Sequence, residues 1–143
     1  MFKIYSKGCE YVLRALTTLP ADHFDVPFLA KDLCRKARVP EASTRKAFQK
    51  LAKEGILTAM TGPGGGYRLA VAPADISLLS IITAIEGEDV FKKCILGLRV
   101  CSDRKPCPVH ASWKKLRGGM MQEMESKKLA QQMLAVKSRR VVG

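Results

Sequence analysis

Residues 94 to 110 read Cys-Ile-Leu-Gly-Leu-Arg-Val-Cys-Ser-Asp-Arg-Lys-Pro-Cys-Pro-Val-His, which gathers Cys94, Cys101, Cys107 and His110 in one short stretch. Thiols and imidazole are soft, polarizable donors, and their concentration on a single segment suits a metal. Three Cys with one His is a legitimate zinc set, but Cys94-x6-Cys101-x5-Cys107 lacks the tight C-x2–4-C knuckle with which zinc sites usually begin. Without metal, the same thiols would make a disulfide switch. Catalysis is not expected: His23 and His110 are the only histidines, and no Ser-His-acid or paired-carboxylate arrangement accompanies them. His23, in Ala21-Asp22-His23, is expected on a surface loop.

The elements that must position these donors follow from periodicity. Pro106, Pro108 and the run Ser102-Asp103-Arg104-Lys105 oppose regular structure between the cysteines, so a long loop is expected. Before it, residues 6 to 19 form an amphipathic helix capped by Ser6, with Cys9, Val12, Leu13, Leu16 and Leu19 on one face. A second helix is expected from about Pro27 to Ala37 with Cys34 on its apolar stripe, and a third from about residue 40 to 55. Thr44, Ala47, Phe48 and Leu51 share the inner face of the third, while Ala42, Arg45, Lys46, Gln49, Lys50 and Lys53 point outward. Both Cys9 and Cys34 read as small core residues.

Residues 56 to 60 and 67 to 69 read as two strands around Gly62-Pro63-Gly64-Gly65-Gly66. That glycine run lacks the Lys-Ser/Thr of a phosphate-binding loop and suits a hairpin tip whose bare backbone can approach a nucleic-acid phosphate. Two helices joined by a short turn and followed by a hairpin make a winged helix. A fourth helix, 78 to 86, capped by Ser77 and ended by Gly87, is apolar nearly all round and should be buried. A fifth starts near Pro108, carrying Trp113, Leu116, Met120 and Met124 at i, i+3, i+7 and i+11, a stripe for the core or for a partner subunit. Gly118-Gly119 costs that helix about 2 kcal/mol relative to alanine, and close approach of another helix is the one physical reason the sequence offers. Ser126 would cap a short last helix to about Leu134, and Lys137-Ser138-Arg139-Arg140 reads as a disordered tail.

At 143 residues the chain fits one compact body, and its 47% apolar content is ordinary. No apolar run is long enough for a membrane span. The odd count of 5 cysteines rules out a complete internal disulfide framework, and with no secretory signal evident the cytoplasm is expected. The formal charge of +12 points to a polyanion, nucleic acid before membrane. Between residues 31 and 53, eight Lys and Arg oppose Asp32 and Glu41, which concentrates the charge on the second and third helices.

Four stretches, Ser6-Lys7-Gly8-Cys9-Glu10-Tyr11-Val12-Leu13-Arg14, Leu51-Ala52-Lys53-Glu54-Gly55-Ile56-Leu57, Gly62-Pro63-Gly64-Gly65-Gly66-Tyr67-Arg68-Leu69 and Leu78 through Glu86-Gly87, occur in fixed order ahead of the three cysteines. With them the chain resembles, over nearly its whole length, the iron–sulfur winged-helix transcription regulators typified by IscR and NsrR. The resemblance implies a mostly α fold with a small β-hairpin: a winged helix-turn-helix at 1–75, then a buried helix, cluster-binding loop (about 92–108) and dimerisation helix at 76–136, with 137–143 as the tail. It implies a cluster regulator, acting as a repressor, that senses iron, redox state, nitric oxide or cluster supply. Cys94, Cys101 and Cys107 would hold a [2Fe–2S] cluster, with [4Fe–4S] the other form in the family. His110 matches the histidine ligand of IscR-like members, while Glu10 matches the carboxylate that NsrR-like members supply from the other subunit. Imidazole is the softer donor and close to Cys107, which favours His110.

A homodimer paired through Trp113, Leu116, Met120 and Met124 would bind an inverted repeat in double-stranded DNA. Ser43, Arg45, Lys46, Gln49 and Lys50 would enter a major groove, with Gly64, Gly65, Gly66 and Arg68 along the minor groove. Arg45 stands where IscR-like members carry Glu. It suits guanine O6 and N7, so a different operator is expected.

Overall fold

The structure is a computed structural model that describes residues 5–20, 22, 24–62, 66–97 and 102–142, with the side chains of 139–142 set aside. Helices α1 (Lys7–Leu16), α2 (Ala30–Ala37) and α3 (Glu41–Lys53) are followed by the antiparallel strands β1 (Leu57–Met60) and β2 (Gly66–Leu69). Helices α4 (Leu78–Glu86), α5 (His110–Ser126) and α6 (Leu129–Val142) complete the chain, with short 3-10 turns at Pro73–Asp75 and Glu88–Phe91. This is the mostly helical winged-helix architecture that the periodicity implies.

Caps and inner faces explain the helices. Ser6 accepts from the Cys9 amide at the start of α1, and Ser77 accepts from the Ser80 amide at the start of α4. Each satisfies a donor that the first helical turn leaves open. The inner face of α3, Thr44, Ala47, Phe48 and Leu51, is buried against Val12, Ala15 and Leu16 of α1 and Ile81, Ile82 and Ile85 of α4. Burying such side chains stabilises by about 1.5–3 kcal/mol each, so this contact dominates the assembly of the winged helix. Arg38, at φ +58°, turns the chain between α2 and α3.

Strand pairing reaches further than the hairpin. Leu57 to Met60 pair with Leu69 to Gly66, and Phe28 adds an antiparallel bridge to Tyr67 on the other edge of β2. The Phe28 amide donates to the Tyr67 carbonyl at 2.7 Å, and the Tyr67 amide donates back at 2.8 Å. The second helix therefore begins at Ala30, not near Pro27. Proline fits an extended edge as readily as a helical first turn, and the bridge partner decides between them. The rings of Phe28, Phe48 and Tyr67 meet beneath this bridge with centroids 5.6–6.2 Å apart.

The C-terminal part departs from expectation in three places. Helix α6 runs from Leu129 to Val142, so the segment expected to be a disordered tail is helical as far as it is described. No Gly or Pro interrupts these residues, and Ala, Gln, Leu, Lys and Arg are good helix formers. Ser126 ends α5 and does not cap α6, whose start is fixed instead by the Leu129 amide donating to the Ile76 carbonyl at 2.8 Å.

The expected apolar stripe of α5 is also divided. Trp113 is buried within the chain and Met124 packs against the core, while Leu116 and Met120 are exposed by 57% and 39%. The core-facing row is His110, Trp113, Arg117, Met121 and Met124, rotated from the expected stripe by part of a turn. A Cβ on Gly118 or Gly119 would meet nothing within 4 Å, so among the described residues no other helix approaches them closely.

Candidate functional site

The cysteine segment is anchored at both ends. At its start, Val90 and Phe91 are buried in the core and Cys94 is 8% exposed. At its end, His110 opens α5 and is likewise 8% exposed. Trp113, one turn beyond His110 on the same face, donates its indole Nε1–H to the Lys93 carbonyl at 2.9 Å. That bond ties the residue before Cys94 to the first turn of α5. Cys107 is half-buried, and its carbonyl accepts from the His110 amide at 3.0 Å.

His110 Nε2 stands 2.7 Å from Asp103 Oδ1, and Lys114 Nζ reaches the two oxygens of the same carboxylate at 3.1 and 3.0 Å. The His110 hydrogen bond, then Lys114, hold the Asp103 carboxyl below the usual carboxylate range. An ionised carboxylate only accepts, so Nε2 is the ring nitrogen that donates to Asp103. Sequence reasoning took Asp103 only as a residue that breaks helices; its spacing of seven residues from His110 carried no recognisable signal. Cys101 lies outside the described residues. Among those described, no group of three His, Cys, Asp or Glu side chains is close enough to hold a metal ion.

The alternative ligand Glu10 is engaged on its own helix, with Arg14 Nη2 at 3.4 Å and Lys7 Nζ at 3.9 Å. Cys9 and Cys34 are core residues. Burial, and secondarily the Glu86 carboxylate, push the Cys9 thiol up to about 12, and burial is the main cause raising that of Cys34. Neither is a reactive thiolate.

The second candidate surface is the outer face of α3. Arg45, Lys46 and Gln49 are exposed, with Ser43 at the flank near α1. Arg45 is oriented by Glu41, Nη2 to Oε1 at 2.7 Å. Lys50 departs from this face: its ammonium donates to the Ile85 carbonyl at 3.1 Å near the end of α4. It therefore joins α3 to α4, satisfying a carbonyl that the last helical turn leaves open. Beside it, Glu86 accepts from the Ser6 amide at 2.8 Å and from the Ser6 hydroxyl.

A groove of about 440 Å³ separates α3 from the wing, lined in part by Lys31, Arg45, Gln49, Met60, Gly66 and Tyr67. Arg68 is exposed on β2; Gly64 and Gly65 lie outside the described residues. Among the described residues no helix is long and apolar enough to cross a membrane.

Comparison with known proteins agrees with this architecture. The HTH-type transcriptional regulator IscR of Aliivibrio salmonicida is 29% identical over 114 residues, covering 80% of this chain and 67% of that protein. The structure of IscR from T. potens superposes with a TM-score of 0.68 at 26% identity, over 92% of this chain and 86% of that one. CymR, the global cysteine regulator of B. subtilis, shares the fold with a TM-score of 0.67 at 24% identity, over 91% and 95% of the two chains. Residues 5–134 match the Rrf2 family, described as an iron-dependent transcriptional regulator. The chain belongs to the Rrf2 family of transcriptional regulators, and IscR is among its relatives.

Proposed function

We propose that this protein is an iron–sulfur-dependent repressor that binds an inverted-repeat operator as a homodimer, with Cys94, Cys101, Cys107 and His110 as the cluster ligands. The observation that carries the reading is the environment of His110. The imidazole is buried, its Nε2 is occupied by a carboxylate, and its helix is tied by Trp113 to the residue before Cys94. Metal-bound histidines characteristically present one ring nitrogen to the metal and the other to such an acceptor.

The donor chemistry fits a thiolate-rich centre, and [2Fe–2S] is the favoured form. Two turns along the same face, Arg117 Nη1 is buried with no hydrogen-bond partner, a cost of about 1–3 kcal/mol that an anionic neighbour would offset. A bound cluster would supply one-electron redox chemistry and sensitivity to iron, oxidants or nitric oxide. Glu10 is the weaker fourth ligand, because its carboxylate already has cationic partners on α1.

The chain's own contacts give the site a route to DNA. The cysteine segment is joined through the 3-10 turn Glu88–Phe91 to the end of α4, where Ile85 holds Lys50 of α3 and Glu86 holds Ser6 of α1. A change in the segment's anchoring shifts the end of α4, and with it the angle of α3. In a dimer this alters the separation of the two α3 helices, to which operator affinity is sensitive because half-site spacing is fixed.

Exposed Arg45, Lys46 and Gln49 suit major-groove contacts, Gly66 and Arg68 suit the wing, and the charge of +12 favours the polyanion. Dimerisation is assigned to the outer side of α5, where exposed Leu116 and Met120 and the open space over Gly118 and Gly119 offer an apolar surface. The test is anaerobic purification with iron and sulfide analysis, followed by operator titration. Stoichiometric iron and sulfide with a dimeric mass support the reading. Colourless protein with bound zinc, or a metal-free protein switched by a reversible disulfide, overturns it.

A further inference from the structure

Resting on the reading of His110 as a ligand, we infer that Asp103 is a positioning residue: it holds the imidazole by Nε2 so that Nδ1 is the nitrogen offered to the metal. The geometry is a clamp over the first turn of α5. His110 and Lys114 are four residues apart and therefore on one side of the helix, and both reach the Asp103 carboxylate, at 2.7 Å from the imidazole and 3.0–3.1 Å from the ammonium. The clamp stands at the N-terminal end of α5, where the helix dipole favours a carboxylate.

Lys114 keeps Asp103 in place, and Asp103 in turn fixes the tautomer and ring plane of His110. A carboxylate is also a stronger acceptor than a backbone carbonyl, so it makes the imidazole a more basic donor and favours the oxidised state of whatever metal it ligates. Nothing else in the sequence from 102 to 106 is tied to α5 in this way, which gives this stretch between Cys101 and Cys107 a function beyond spacing.

The experiment compares wild type, Asp103→Asn, Asp103→Ala and His110→Ala, purified anaerobically as full-length protein. Iron and sulfide content, the rate of iron release to a chelator, the midpoint potential and the nitrogen hyperfine coupling of the reduced cluster are measured. Asp103→Ala is expected to release iron about 10- to 100-fold faster than wild type. Asp103→Asn, which still accepts from Nε2–H, is expected to keep its cluster with a more positive potential. Both metal-free variants are expected to melt with the metal-free wild type, because the carboxylate is exposed. Unchanged release rate, potential and nitrogen coupling in both Asp103 variants would overturn the inference while leaving His110 as the ligand. A wild type without cluster, or one whose nitrogen coupling survives in His110→Ala, would remove the ligand assignment and this inference with it.

Discussion

Replacing Gly66 with alanine probes the junction on which the wing depends. Gly66 opens β2 beside the Phe28–Tyr67 bridge, and an added Cβ would land on the Phe28 carbonyl oxygen, with Phe28 C at 3.0 Å and Leu29 Cα at 3.3 Å. These are backbone atoms, so no side chain can swing aside. The chain has two ways to respond. Forcing the methyl group in strains the packing by about 1–3 kcal/mol. Detaching β2 from Phe28 instead loses two hydrogen bonds, about 1 kcal/mol each, and loosens the Phe28–Tyr67 ring contact, about 0.5–1.5 kcal/mol more.

The chain takes the less costly route, so a loss of about 1–3 kcal/mol is expected. For a protein of this size that lowers the melting temperature by about 3–10 °C. Urea unfolding followed by circular dichroism measures it, and gel shift of the same variant should show weakened operator binding because the wing has moved. A Gly66→Ala protein within about 0.5 kcal/mol of wild type would refute the close approach and the placement of the wing edge against Phe28.

Other consequences can be checked separately. Arg45→Ala should lose about 1–3 kcal/mol of operator affinity at a single base position if the guanidinium reads a guanine, and a systematic operator-substitution series distinguishes this from the uniform loss expected of a phosphate contact. Trp113→Phe keeps a buried ring but leaves the Lys93 carbonyl without its indole donor. It should cost about 1–3 kcal/mol and speed hydrogen exchange at residues 94–97, whereas unchanged exchange would show that the indole does not anchor the loop.

Cys9 gives a pH dependence. Its folded-state value of about 12 lies above the ordinary 9.0, so its contribution to stability is complete below 9.0 and is lost as pH rises toward 12. Denaturation at about pH 8 and about pH 10.5 should show wild type losing more stability than Cys9→Ala over that interval, and equal losses would contradict the burial of the thiol.

Local signals were the readable part of the sequence. Ser6 and Ser77 act as caps, and the 3.6-residue spacing of Thr44, Ala47, Phe48 and Leu51 identifies the buried side of α3, because capping and amphipathic burial operate within one or two turns. What depends on distant partners was not readable. Pro27–Leu29 is extended only because Tyr67 arrives beside Phe28. Lys50 looked like one more outward cation, since nothing near it announces the Ile85 carbonyl.

The candidate site divides the same way. Cys94, Cys101, Cys107 and His110 stood out as candidate donors from residue type alone. The contacts of Asp103 with His110 and Lys114 required the loop to fold back on α5, and the inward turn of Trp113 required α5 to meet the carbonyl of Lys93. An isolated apolar stripe gives a helix face but not what covers it, which is why Leu116 and Met120 part company with Trp113.

The central claim is that the metal centre at 94–110 sets the affinity of the dimer for its operator. Anaerobic titration of one operator duplex with the protein as isolated, and again after chelation of its metal, tests this most directly. The account predicts different affinities for the two forms of a dimer that carries iron and sulfide. Equal affinities of the loaded and stripped protein would contradict it.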